Sequence, residues 1–301
     1  MGDRNIKTIG SEAAYKLKAC TTFCHVKLDG LEIEHCKRRE PCSMPLYHYH
    51  DSYEIYYLLS GVRHYFIKDR TFRVEKGDIV LINRHDLHKT TYGGSSAHER
   101  VLLNFDEAYA GRLQMFVDDI DILLPFHQDV NVIKLSRIEQ KVMEQALFKI
   151  MKEAGERGAG SSSCVRLAIA ELLVCIARQA VRLKAGDSSH LDKMYEKVSE
   201  VVKFINLRYM EKLTLNYLSA SFYISPYYLS RLFKKATGFT FVEYLNSIRV
   251  REAQKLLKET ELNVSEVAER TGYESSTHFG RVFKEITGLS PLRYKKVNKV
   301  I

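Results

Sequence analysis

The chain has no long apolar run. No uninterrupted stretch approaches the roughly 18 residues of a membrane span, and the first ten residues, MGDRNIKTIG, lack the apolar core of a secretory signal. Ile6 stands where a myristoylation pattern requires Ser or Thr. A cytoplasmic location and no membrane partner are therefore expected. Six cysteines, at 20, 24, 36, 42, 164 and 175, include no CxxC pair. A zinc site drawn from Cys20, Cys24, His25, His35, Cys36 and Cys42 is disfavoured on that spacing, and reduced thiols are expected. Apart from a set of histidines and one glutamate described below, no acid–base or nucleophile constellation is present, so the chain does not read as an enzyme.

What is present is an uneven charge. Of the net +9, the first 189 residues contribute +2, with 27 Lys and Arg against 25 Asp and Glu, and residues 190–301 contribute +7, with 19 against 12. With 301 residues, about two domains fit, and the basic third suits a polyanion-binding module. The period of the pattern changes along the chain. Residues 22–103 hold short β-branched and aromatic runs broken at Ser60-Gly61, Lys68-Asp69, Lys76-Gly77 and Asn83-Arg84, which predicts a sandwich or small barrel with a hairpin around Lys68-Asp69-Arg70. From residue 135 helical spacing takes over through Ile138, Val142, Met143, Leu147, Ile150 and Met151. The stretch 164–184 is apolar around much of its circumference, from Val165 to Val181, which predicts burial on two sides, one of them against a second copy of the chain. KAGDSSHLD reads as a linker, and the remainder as seven helical segments. The expected plan is an arm over 1–20, a β-domain over 21–130, a helical dimerisation segment over 131–185, a linker over 186–192 and an all-α domain over 193–301.

Two helical stretches in the last domain repeat one another: SPYYLSRLFKKATGF from Ser225 and SSTHFGRVFKEITGL from Ser275. Each opens on a capping Ser and closes on Thr-Gly. Leu229, Leu232 and Phe233 face inward in the first, and Phe279, Val282 and Phe283 in the second. The outer faces are left with Tyr227, Tyr228, Ser230, Arg231 and Lys234, and with Ser276, Thr277, His278, Gly280, Arg281 and Lys284. Each stretch follows another short helix and a tight turn, the arrangement of a helix-turn-helix. Arg suits guanine O6 and N7, and Lys toward the helix ends suits phosphates. Two units joined by the stiff stretch 241–257 would enter successive major-groove segments roughly 34 Å apart.

These motifs closely resemble the AraC/XylS family of bacterial transcription regulators, over about residues 198–296. The match includes FVEYLNSIRVREAQKLL and VAERTGYESSTHFGRVFKEITGLSPLRYKK. The resemblance implies base contacts from Tyr227, Ser230 and Arg231, then from Ser276, Thr277, His278 and Arg281, with operator DNA, a small-molecule effector, a second copy of the chain and RNA polymerase as partners. In the β-domain, His48-x-His50-x₃-Glu54 with Gly61, then Gly77 with His88, resemble the two cupin motifs. The resemblance implies an α+β chain with a cupin-like barrel or jelly roll, helices after it, and a C-terminal double helix-turn-helix. In a metal cupin, His48, His50, Glu54 and His88 would converge on one ion. The more economical reading needs no cofactor: His48, His50, Glu54, Tyr56, His64 and His88 line a pocket for a polar ligand such as a sugar.

Overall fold

The computed structural model describes residues 20–40, 50–128, 131–156, 158–183 and 195–298. The chain divides into two compact units with the boundary between Asp192 and Lys193. The expected arm and linker, Cys42 and His48 lie outside the described residues.

The first unit opens with β1 (Cys20–Leu28), β2 (Leu31–Arg38), β3 (Tyr53–Ser60), β4 (Val62–Ile67), β5 (Arg70–Glu75), β6 (Asp78–Ile82), β7 (His88–Tyr92) and β8 (His98–Phe105). Helices α1 (Glu107–Gln114) and α2 (Leu124–His127) follow, then β9 (Val132–Lys134), α3 (Arg137–Glu156) and α4 (Ser161–Arg182). The strands form a six-stranded sheet in the order β1-β2-β8-β3-β6-β9 and a three-stranded sheet in the order β5-β4-β7, every pair antiparallel. The hairpin β4–β5 turns through Lys68-Asp69, with Lys68 in the left-handed region at φ 56°.

Alternation along β3 decides which layer each side chain joins. Tyr56 and Leu58 enter a core between the two sheets with Val80, Ile82, Leu102, Tyr65, Ile67, Phe72 and Val74. Ile55 and Tyr57 enter a second core with Leu103, Leu147, Ile169 and Leu173, under the helices. Both faces of β3 are buried, which explains why YEIYYLL is a continuous apolar run rather than an alternating one.

The helical segment expected over 131–185 is not a separate piece. Its first strand, β9, pairs with β6 at the sheet edge, and α3 and α4 share the core under the sheet. A reciprocal cap starts α3: Ser136 Oγ accepts from the Glu139 amide and Glu139 accepts from the Ser136 amide. The expected stripe on α3 is only partly correct, since Ile138 and Val142 are exposed while Met143, Leu147, Ile150 and Met151 are buried. On α4, Val165, Ala168, Ile169, Leu172, Leu173, Ile176, Ala177 and Ala180 bury within the chain, and Val181 does not. The sheet and neighbouring helices supply most of the burial that its composition demands.

The second unit contains α5 (Glu196–Arg208), α6 (Leu215–Ser221), α7 (Pro226–Thr237), α8 (Phe241–Glu259), α9 (Val264–Arg270), α10 (Ser276–Thr287) and α11 (Pro291–Asn298). Helix α8 packs against both α7 and the α9–α10 pair. Arg249 on α8 ties down the end of α5, its Nε donating to the Tyr209 carbonyl at 2.8 Å and Nη2 to the Glu211 carbonyl at 2.8 Å.

Gly272, in the turn after α9, holds φ 83°, and a Cβ there would stand 2.6 Å from the Met210 carbonyl oxygen. The equivalent turn after α6 gives that left-handed place to Tyr223, at φ 55°, which is 97% exposed and so meets no such wall. Gly272→Ala should therefore destabilise the second unit by about 2 kcal/mol or more, while Tyr223→Gly should not destabilise it. Urea unfolding of the two variants checks both.

Candidate nucleic-acid interface and ligand site

The two repeated helices, α7 and α10, are built alike. In α7, Ser225 Oγ accepts from the Tyr228 amide, Pro226 occupies the first turn and Gly238 ends the helix at φ 78°. In α10, Ser275 Oγ accepts from the His278 amide and Gly288 ends the helix at φ 72°. Leu229, Leu232 and Phe233 are buried, as are Phe279, Val282 and Phe283. Burial of each such side chain contributes about 2 kcal/mol, so the inward stripe fixes which way the rest must point. Tyr227, Tyr228, Ser230, Arg231 and Lys234 are exposed, and so are Ser276, Thr277, His278, Arg281 and Lys284. Gly280 adds no side chain to the outer face of α10.

Within these faces the two arginines differ. Arg231 lies along its own helix, its Nη1 donating to Tyr227 Oη at 3.3 Å and its guanidinium carbon 5.5 Å from the Tyr227 ring centre. Arg281 makes no hydrogen bond or ion pair among the described residues, so its guanidinium remains solvated. Before α7 and before α10 the turn is closed by the backbone. Ile224 N–H donates to the Ser219 carbonyl, and Tyr273 N–H to the Ala268 carbonyl, the six-to-one bond of a Schellman end.

In the first unit, the structure brings together part of the predicted ligand set. His50, Glu54 and His88 are buried, and their nearest ligand atoms lie within 4.8 Å of one another. His50 Nδ1–H donates to the Ser52 carbonyl at 2.8 Å, and His88 Nδ1–H to the Asp86 carbonyl at 2.8 Å. Both Nε2 atoms are thereby aimed at Glu54 Oε2, at 3.1 Å from His50 and 3.8 Å from His88. Tyr65 Oη donates to the other carboxylate oxygen at 2.9 Å. Donating from both nitrogens makes His50 an imidazolium; with Ser52 Oγ donating to Nδ1 at 3.0 Å, the neutral ring also reaches Glu54 through Nε2–H. Burial pushes its affinity for a second proton down, but the hydrogen bond to Glu54 and the carboxylate's charge outweigh burial, so its pKa is raised. The same two imidazoles and carboxylate are a donor set suited to a divalent transition metal, with both rings oriented by backbone carbonyls as ligating histidines are.

Tyr56 also faces the interior, its ring 5.2 Å from that of Tyr65. His64 does not belong to this set. It lies between Arg63 and Tyr65, both buried in the interior, so the pleat turns it to the outer face of the three-stranded sheet. Interior groups absent from the sequence-based set include Tyr65, Arg63, Arg100, His98 and Glu34. The alternation of RHYFI and HERVLL carries the signal, since Arg63 alternates with Tyr65 and Ile67, and His98 and Arg100 with Leu102.

The comparisons agree with both halves. Residues 43–173 match the family described as AraC-like ligand binding domain, and residues 218–296 the family described as helix-turn-helix domain. The transcriptional activator RhaS of Salmonella schwarzengrund is 25% identical over 247 residues, covering 81% of this chain and 85% of that protein. YisR of Bacillus subtilis, an uncharacterised transcriptional regulator, is 23% identical over 256 residues, covering 81% and 86%. The C-terminal domain of AraT, a response regulator from Geobacillus stearothermophilus, is 32% identical over 36% of this chain and 92% of that one, with a TM-score of 0.36.

Glu54→Gln takes away the charged acceptor that the buried His50 and Tyr65 share. It should lower stability by about 3 kcal/mol, read by urea unfolding followed through tyrosine fluorescence. The paired recognition helices and the β-domain ahead of them agree with these matches: the chain belongs to the AraC/XylS family and is a DNA-binding transcription regulator with an N-terminal ligand-binding domain.

Proposed function

We propose that the chain is a sequence-specific, effector-responsive regulator whose α7 and α10 read two successive major-groove segments. The observation that carries this reading is the matched pair of capped helices, each with its apolar stripe buried and an Arg and a Lys on its solvent face. Arg231 and Arg281 take base edges, Tyr227, Ser230, Ser276, Thr277 and His278 supply shorter contacts, and Lys234, Lys284 and Tyr228 hold the backbone. A small polar effector binds inside the β-domain and shifts the population of DNA-binding arrangements, which requires unequal affinity for the two states. The protein works as a homodimer. Support comes from Leu167 and Val181, 63% and 61% exposed, which stand on one line of α4 with the half-buried Val174 between them. RNA polymerase is the partner at promoters that the bound protein activates.

A second reading, a metal-dependent cupin enzyme with an accessory helical domain, draws on the convergence of His50, Glu54 and His88. Near-stoichiometric iron, manganese or nickel in protein purified without added metal, lost in His50→Ala, would favour it.

Arg281→Ala should lose about 1–3 kcal/mol of discrimination at one base position, while Lys284→Ala should weaken binding to all sequences alike and lower the salt slope by about one. Fluorescence anisotropy on a duplex selected with the wild-type chain, against a scrambled duplex and over a salt series, reads both; an Arg281→Ala chain that separates the two duplexes as the parent does removes the role given to Arg281. Leu167→Glu with Val181→Glu should lower the sedimentation mass from dimer to monomer.

A further inference from the structure

We propose that the interior of the β-sandwich binds an oxyanion, a carboxylate or phosphoryl group on the effector, and that Arg63 is the residue that grips it. The inference rests on the ligand-binding reading of this domain and narrows the effector to an anion in place of a neutral sugar.

Arg63 is 1% exposed, on β4, two residues before Tyr65. A guanidinium has five N–H donors and cannot shed its charge in a protein. Here only one hydrogen bond is made, from Nη2 to Thr90 Oγ1 at 3.5 Å, the outer limit of such a bond. Nε and Nη1 are buried with no partner among the described residues. The interior carboxylates are committed elsewhere. Glu34 takes Arg100 at 3.3 and 3.4 Å, and Glu54 takes His50 and Tyr65.

Two further polar atoms beside Arg63 are also buried without a partner among the described residues, Tyr56 Oη on β3 and His98 Nδ1 on β8. The field around them is positive. Burial, then the charges of Arg63, Arg100 and Arg38, push the His98 imidazole down to about 3, so that ring is neutral. Burial raises the Tyr56 hydroxyl to about 12, against the pull of Arg63 and Arg100, so it keeps its proton to donate.

A neutral sugar could complete hydrogen bonds here, yet it would leave the guanidinium charge uncompensated. A buried unpaired charge is the larger of those two penalties. A planar or tetrahedral oxyanion removes it by accepting from Nε and Nη1 together, in the forked geometry that Arg favours. Tyr56 donates from the opposite sheet, and His98 faces the same charge. The ligand thus supplies the counter-ion that the chain does not.

The test is a thermal melt of the full-length protein in inorganic phosphate, in acetate and in glucose, each against sodium chloride at matched ionic strength. The wild type should show a saturating rise in melting temperature with phosphate, pointing to a phosphoryl source, or with acetate, pointing to a carboxylate. Arg63→Met should melt at or above the parent temperature in chloride, because the uncompensated charge is gone, and should lose the anion response. A wild type that answers neither anion, or glucose alone, overturns the inference; so does an Arg63→Met chain that keeps the anion response or melts below the parent in chloride. Anisotropy on the selected duplex keeps the two readings apart. Wild-type protein that binds the duplex but no anion overturns this inference alone, whereas wild-type protein that binds no duplex overturns the regulator reading.

Discussion

The six-stranded sheet has no solvent face along its centre, and much of the first unit is arranged around that constraint. One face of β3 closes the helical core and the other closes the space between the sheets. A polar group on the inner face needs a partner within the protein or on a bound ligand, because it is buried from solvent. Glu54 does so through His50 and Tyr65, and Arg100 does so through Glu34. These pairs are expensive to build and still more expensive to break singly. A sandwich lined in this way holds few arrangements of its interior charge, which is the property a selective receptor needs.

The second unit solves the opposite problem. Helices α7 and α10 keep strong cations and large aromatics in water while remaining folded. They manage it by concentrating the apolar residues on one narrow stripe and by satisfying both ends of each helix locally, with Ser at the start and Gly at the close. The outer face then contributes little to stability, and its residues are available for contact with another molecule.

Much of this was legible from the chain alone, and the reasons differ by element. The repeat of Ser, Arg, Phe, Lys and Thr-Gly located helices α7 and α10 because caps and helical period are local signals. The resemblance to the cupin motifs, rather than any local signal, pointed to His50, Glu54 and His88, which the fold brings together. His64 was misplaced because strand parity depends on register, which the surrounding residues did not define. Arg63, Arg100 and His98 were missed because charged residues in short strands are ordinarily assigned to the surface. Only the pairing of β8 between β2 and β3, a contact between residues far apart in sequence, turns Arg100 inward. Ile138 and Val142 show the converse, an apolar helical period continuing past the ground the sheet covers.

Helix α8 belongs to both helix-turn-helix units at once, its 19 residues spanning about 28 Å at 1.5 Å per residue. A shared rod of that kind transmits angle as well as distance. An extra base pair between the two half-sites would swing one of them about 35° around the duplex axis, and a straight, capped helix has little torsional give with which to follow. If α7 and α10 read successive grooves as proposed, operators for this chain are phased to the helical repeat of DNA, with their spacing held more tightly than their composition.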